Sequence, residues 1–344
     1  MTTAYLTHRQ FTAHDLPRHP EHAGRIQAIW RQLEAQGLTT QLLPITPAPA
    51  SNAQIRAVHS AAHLSRLVDI AMQERRVFID QDTYALPVSL ETARLAAGAV
   101  IGAVDAVISG RTQNALAVVR PPGHHATAGR QMGFCLLNNI AIAARQAQTK
   151  HGLRKVLVFD YDVHHGNGTQ DIFYSDPSVL FISIHQSPFY PGSGALKETG
   201  AGPGRGATLN LPITGGHGDE AYRRLFEEVV TPCIERFAPD LMLVSAGFDA
   251  HFIDPLASMR LSLAGYDWLA RACIALAEKV CDGKIVFVME GGYDLDALAQ
   301  GWCNIARALL GMDGISDPYG PAQDQAPAHQ VGSLITEARS IHRL

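Results

Sequence analysis

Five apolar runs of strand length punctuate this sequence, and the way they end constrains the fold more than any other feature. The runs are NALAVVR (114–120), KVLVFDYD (155–162), SVLFISIH (178–185), DLMLVSAG (240–247) and KIVFVMEGG (284–292). Helix-length amphipathic stretches lie between most of them, the alternation expected of a parallel sheet covered on both faces. Four of the five break off directly into polar or glycine-rich loops: RPPGHHA, DYDVHHGNG, GFDAH and EGGYD. Strands of a parallel sheet point one way, so these loops share one edge. Open α/β sheets bind their ligands on that edge, which brings groups distant in sequence into one crevice.

The intervening segments fit this plan. The spacing predicts a helix over 219–236, with Tyr222, Leu225, Phe226, Val229, Val230 and Ile234 on one stripe and a bend at Pro232. A second is predicted over 263–281, with Ser262 as N-cap and Gly283 as its stop. The span 89–109, rich in Ala and Gly and apolar nearly all round, suits a helix packed closely between other elements. With 344 residues, 47% hydrophobic and 17% charged, the chain reads as a well-cored globular protein. One domain is expected over 1–315. It is followed by a loop with the Pro/Gly-rich stretch SDPYGPAQDQAPA (316–328) and a short final helix, GSLITEARSIHRL, packed on the same domain.

Charge and cysteine usage exclude several classes. The 28 basic and 32 acidic residues sum to −4 without any block of like charge, so there is no nucleic-acid footprint. The longest apolar stretch, around LAAGAVIGAVDAVI, is broken by Asp105 well short of a membrane span, and no export signal is expected from MTTAYLTHRQFTAHDLP, which lacks a basic stretch followed by an apolar core. Five scattered cysteines without a CxxC pair indicate free thiols in a reducing compartment, for which the cytoplasm fits best. No feature of the sequence sets an oligomeric state.

Histidine is the compositional outlier, sixteen copies including two HH pairs. If the chain stays extended past the strand end, Asp160, Asp162 and His164 face one way. An imidazole with carboxylates suits a divalent metal of intermediate hardness, and Asp249 would complete an Asp/His/Asp set with an open position for water. Asp249 alone is equally a turn residue. His124 and His125 sit in a loop stiffened by Pro121, Pro122 and Gly123, where they could flank a metal-bound water as acid and base. Asp160 and Asn167 are the available partners for their far nitrogens. A carboxylate would keep one imidazole cationic, and an amide would leave the other neutral. Tyr293, behind two glycines, could donate to a developing oxyanion, although Gly-Gly-Tyr alone is as well explained by a core or rim tyrosine. Phe134 and Tyr190 lie in glycine-bounded loops that could line an apolar slot, or simply pack.

Taken together the motifs resemble the histone deacetylase superfamily, on the class II and bacterial deacetylase-like side. The resemblance runs through HPEHAGRI (19–26), RPPGHHA, GFCLLNN, DYDVHHGNGTQDIFY, SIHQSPFYPGSG, LVSAGFDAH and EGGYD. It implies an arginase-like α/β fold, a three-layer α/β/α sandwich with a central, mainly parallel sheet. It implies zinc, with ferrous iron as the alternative, held by Asp162, His164 and Asp249. His124 and His125 become the tandem acid/base pair, supported by Asp160 and Asn167, and Tyr293 polarises the amide carbonyl. Gly133, Phe134, Tyr190 and Leu256 match the substrate tunnel, and Arg25 matches the arginine of a product channel. A structural potassium ion is implied at Asp160, Asp162, His164, Ser183 and Ile184, partly through backbone carbonyls.

The activity this implies is deacylation of N-ε-acyl-lysine in protein or peptide by metal-activated water. Three alternatives remain at this level. An acetylpolyamine amidohydrolase would act on an acylated small amine, with Glu198, Asp219 or Asp254 as acids at the rim. A ureohydrolase would carry two manganese ions, and a sensor of acyl-lysine would lack turnover. Apolar Leu256 at the gate tilts the reading towards acyl-lysine.

Overall fold

The structure, a computed structural model, describes residues 2–322 and 325–344. Ten strands occur among them: β1 (Thr3–Leu6), β2 (Leu43–Pro44), β3 (Val77–Phe78), β4 (Tyr84–Ala85), β5 (Asn114–Ala117), β6 (Val156–Asp160), β7 (Val179–Gln186), β8 (Thr208–Ile213), β9 (Leu241–Ala246) and β10 (Ile285–Met289). Eight build one sheet in the order β2-β1-β5-β10-β9-β6-β7-β8, every neighbouring pair parallel. β3 and β4 form a separate antiparallel pair. The five strands expected from the sequence are present, and β5 and β6 stop a few residues earlier than their apolar runs.

Strands β6, β7, β9 and β10 are buried along their whole length. Their side chains therefore leave water on both faces, which explains why they read as continuous Val/Ile/Leu/Phe runs rather than alternating ones. Helices cover both faces. Ser89–Ile108 and Asn139–His151 pack on each other, and Gly24–Ala35, Leu295–Leu309 and Leu263–Cys281 pack in succession. The close packing expected of the Ala/Gly-rich segment is seen at Gly98, where a Cβ would come within 1.8 Å of the Ala48 carbonyl oxygen. Ser262 caps Leu263–Cys281 by accepting from the Gly265 N–H at 3.0 Å, and Gly283 follows its end at φ +75°.

The helix expected over 219–236 takes a different form. Asp219–Leu225 is α-helical, Phe226–Val230 is a π-turn, and Thr231–Phe237 is α-helical again. Proline has no N–H to donate four residues back, so Pro232 leaves the Glu228 carbonyl without its helical partner. That carbonyl accepts from the Arg339 guanidinium at 2.5 Å instead. Arg339 belongs to the final helix, Ala328–His342, which begins earlier than its sequence pattern and buries Val331, Ile335 and Ala338 against the body of the protein. Two residues of the expected 316–328 stretch, 323 and 324, lie outside the described residues.

β5, β10, β9 and β6 are consecutive neighbours at the centre of the sheet. The loops that follow them begin with Val118, Glu290, Gly247 and Tyr161, and these loops carry the chemistry-bearing motifs.

Candidate active site

The loop that follows β6 does not stay extended. β6 ends at Asp160 and the chain bends through 162–164, so the three acidic and imidazole groups do not face one way as alternation would have it. Asp160 turns to His124, its Oδ2 lying 3.0 Å from Nδ1, and its Oδ1 accepts from the Asp162 N–H at 3.1 Å. Asp162 and His164 converge because the bend closes on itself, with the His164 N–H donating to Asp162 Oδ1 at 2.9 Å. Asp249 joins them from the end of β9. His164 Nδ1 is 3.1 Å from both Asp162 Oδ1 and Asp249 Oδ2, and the three ligand-type atoms lie within 4.8 Å of one another. The remaining carboxylate oxygens are held by main chain. Gly291 N–H donates to Asp162 Oδ2 at 2.7 Å, and Val163 N–H donates to Asp249 Oδ1 at 3.0 Å. Only glycine fits at 291, since a Cβ would come within 2.1 Å of Asp249 Oδ2.

This donor set fits a divalent cation. Asp162 and Asp249 are fully buried, and a single imidazole between them cannot balance two carboxylates. Burial opposes charge on His164, yet Asp162 and Asp249 outweigh it and raise its pKa to about 10. One nitrogen and two oxygens are a donor set zinc accepts.

His125 Nδ1 lies 2.8 Å from Asn167 Oδ1, so the two histidines have the two partners the sequence offers. The two rings differ in charge state. Burial opposes protonation of His124, but Asp160, Asp162 and Glu290 overcome it and hold its pKa near 10. His125 is driven well below its ordinary value by burial and then by the neighbouring His124 and His164. Glu290 was not singled out by sequence reasoning. It is fully buried, and its Oε2 accepts from the N–H groups of Gly123 (2.7 Å) and His124 (3.2 Å), which fixes the loop that carries the histidine pair.

A cavity of about 270 Å³ leads to these groups, and His124, His125, His164 and Tyr293 all line it. Gly133, Phe134, Tyr190 and Leu256 line it too, as expected of tunnel residues. Phe134 stands edge-on to Tyr293 with ring centroids 5.9 Å apart, and Tyr190 edge-on to His125 at 5.2 Å. Phe134 is held at φ +66°, a conformation a bulky residue rarely adopts, with its N–H donating to Thr83 Oγ1 at 3.1 Å. Gly133 lies on the His125 ring, where a Cβ would come within 2.3 Å. Phe189, stacked on His164 at 5.1 Å, and Asp82, at the cavity wall, are further members that the sequence did not mark.

Burial keeps the Tyr293 phenol protonated by raising its pKa well above the ordinary value. Beneath it lies Arg25, fully buried, its guanidinium 4.9 Å from the Tyr293 ring centroid. Arg25 donates to the carbonyls of Gly292 (2.7 Å) and Glu290 (2.6 Å) and to Glu21 (3.1 Å). Glu21 also pairs with Arg120. Of the expected potassium residues, Ser183 is the cross-strand partner of Asp160 and Ile184 follows it, and Ser183 Oγ is 2.9 Å from His185 Nδ1.

The acids invoked for a polyamine rim are committed elsewhere. Asp219 accepts from Ser262, Glu198 from Gln170 and Gly194, and Asp254 is buried. His165, one of the positions where a second metal would need a ligand, instead faces Ser193 and Gln170. Among the described residues, Asp162, His164 and Asp249 are the one cluster of metal-ligand type.

The histone deacetylase domain model matches residues 19–309. Histone deacetylase 14, chloroplastic, of Arabidopsis thaliana is 42% identical over 96% of this chain and 82% of its own length. A probable deacetylase of Archaeoglobus fulgidus is 40% identical over 91% and 88%. The crystal structure of the HDA15 HD domain superposes with a TM-score of 0.91 at 35% identity, covering 99% of this chain and 94% of that one. The fold is the arginase-like α/β fold of these enzymes, and the protein is a hydrolase acting on amides. The chain belongs to the histone deacetylase family. Among the described residues no helix is long and apolar enough to cross a membrane.

Proposed function

We propose that the protein is a zinc-dependent deacylase of N-ε-acyl-lysine in peptides or proteins, working in the cytoplasm with residues 1–315 as its catalytic unit. The observation that carries this reading is the meeting of the Asp162/His164/Asp249 cluster, one cationic and one neutral histidine and a protonated Tyr293 around one narrow cavity. A divalent ion held by the cluster would acidify a water molecule and polarise the acyl carbonyl.

The chain's own groups divide the remaining work. With Asn167 Oδ1 accepting from Nδ1–H, His125 has its Nε2 lone pair free to take a proton from the attacking water. His124, kept cationic by Asp160, stabilises the negative charge that accumulates in the cavity. Tyr293 O–H donates to the substrate oxygen as the carbonyl becomes tetrahedral. His125, now protonated, delivers its proton to the leaving amine. Phe134 and Tyr190 exclude water along the acyl-lysine stem, and Leu256 forms the apolar mouth. Glu21 is shared by Arg25 and Arg120, and burial lowers the pKa of the nearby His14 to about 3, so this cluster keeps one net positive charge, suited to receive a carboxylate product beside Arg25. A monovalent ion at Asp160, Asp162, His164, Ser183 and Ile184 is supported by the β6–β7 register.

The test is hydrolysis of acetyl-lysine peptides against acetylputrescine and acetylspermidine, with divalent metal measured on the same sample. Preference for the peptides is expected, because among the described residues Asp82 is the one carboxylate that lines the cavity. A metal-loaded protein that cleaves only the polyamines would overturn the substrate assignment.

A further inference from the structure

Asp254 is a carboxylate 6% exposed with no cationic side chain against it among the described ion pairs. Burying such a group costs free energy unless donors satisfy it, and its donors are all main-chain N–H groups. They come from two different loops. Oδ1 accepts from Leu256 N–H at 2.9 Å, and Oδ2 accepts from Tyr293 N–H at 2.7 Å and from Asp294 N–H at 3.2 Å. The first loop follows β9 and carries the tunnel mouth. The second follows β10 and carries the phenol, and Asp294 immediately caps Leu295–Leu309 through Ala297 N–H at 2.8 Å. Glycines at 291 and 292, the latter at φ +113°, precede Tyr293, so this backbone has little stiffness of its own.

We propose that Asp254 is a positioning residue which straps the backbone of Tyr293 to that of Leu256, so that the oxyanion donor and the tunnel mouth move as one piece. The proposal deepens the deacylase reading and rests on it for its kinetic consequence. Asparagine at 254 keeps one acceptor oxygen, so it can serve one loop and not both. Tyr293 then samples positions out of reach of the substrate oxygen, which lowers kcat more than it changes KM.

Two measurements test this. In the wild-type protein, hydrogen exchange should give the amides of Leu256, Tyr293 and Asp294 one common protection, as parts of a single opening unit. Distinct protections for the two loops would refute the strap, whether or not any substrate is turned over. In kinetics, Asp254→Asn should keep its divalent metal and lose about tenfold or more in kcat on an acetyl-lysine peptide. In a Tyr293→Phe background it should cost less than about twofold, the non-additivity expected of residues that act through one another. Equal losses in both backgrounds would show that Asp254 does not act through the phenol. A wild-type protein without activity on acyl-lysine amides would reject the deacylase reading and leave the exchange result to decide the strap.

Discussion

His124 and His125 are neighbours with identical side chains, yet they separate into a cation and a neutral base: Asp160, Asp162 and Glu290 outweigh burial at His124, whereas burial and then the charges on His124 and His164 hold His125 low, with Asn167 at its Nδ1. Asn167→Asp places a carboxylate beside His125 and favours its imidazolium. The base form is the neutral one, so the acidic limb of kcat/KM against pH should move to higher pH; an unmoved limb would remove His125 from the role of base. Tyr293→Phe deletes the phenol O–H proposed to donate to the oxyanion, without altering the shape of the pocket. It should keep fold and metal and lose about a hundredfold to a thousandfold in kcat, the cost of about 2.7–4 kcal/mol typical for such a donor, and near-normal turnover would dismiss the phenol. These residues were legible in the sequence because each stands within a few positions of a strand end. Glu290 was not, and Asp254 was read only as an acid at the rim, since a buried acid satisfied by main-chain donors leaves no pattern along the chain.

Elements repeat the contrast. The central strands announced themselves as unbroken apolar runs, and they fix the site because β5, β10, β9 and β6 are neighbours. β1, β2 and β8 escaped notice for physical reasons. β1 and β2 are four and two residues long, and β8 contains Asn210 and Pro212, tolerated there because it is an edge strand. The π-turn at Phe226–Val230 was equally hidden, for the Glu228 carbonyl that Pro232 leaves without a helical donor finds its partner in an arginine over a hundred residues away. Arg339→Ala should leave the Glu228 carbonyl without its partner and cost about 1 kcal/mol of stability, read as a fall in denaturation midpoint at unchanged m-value. An unchanged midpoint would mean that water replaces the guanidinium without loss.

At the scale of the whole molecule, the histidines outside the site are mostly buried and neutral. Burial, followed by the neighbouring His63, lowers His59 to about 3, while burial lowers His63, His251 and His342 to about 4. His59 illustrates the reason: its Nε2 accepts from Asn138 N–H at 2.9 Å and its Nδ1 faces the Thr127 carbonyl at 2.9 Å, so a second ring proton would break the first bond. Unfolded histidines protonate near pH 6.5. Between about pH 6.5 and 4 the unfolded chain therefore binds more protons than the folded one, and stability falls as pH falls through that window. Above it, this contribution is complete. The gap in thermal midpoint between the wild type and His59→Gln should therefore be level from pH 7 to 8 and shrink towards pH 4, and a gap unchanged by pH would contradict the neutral assignment. Sixteen histidines were visible as a compositional excess, but their division between site and core required the fold.

The central claim is that Asp162, His164 and Asp249, brought from two strand ends, hold one catalytic divalent ion. Elemental analysis of the purified protein beside the double variant Asp162→Asn/Asp249→Asn addresses it most directly. The account predicts one divalent ion per wild-type chain, none in the variant, and loss of acetyl-lysine hydrolysis with the ion while the variant remains folded. A variant that keeps its ion and its turnover would contradict it.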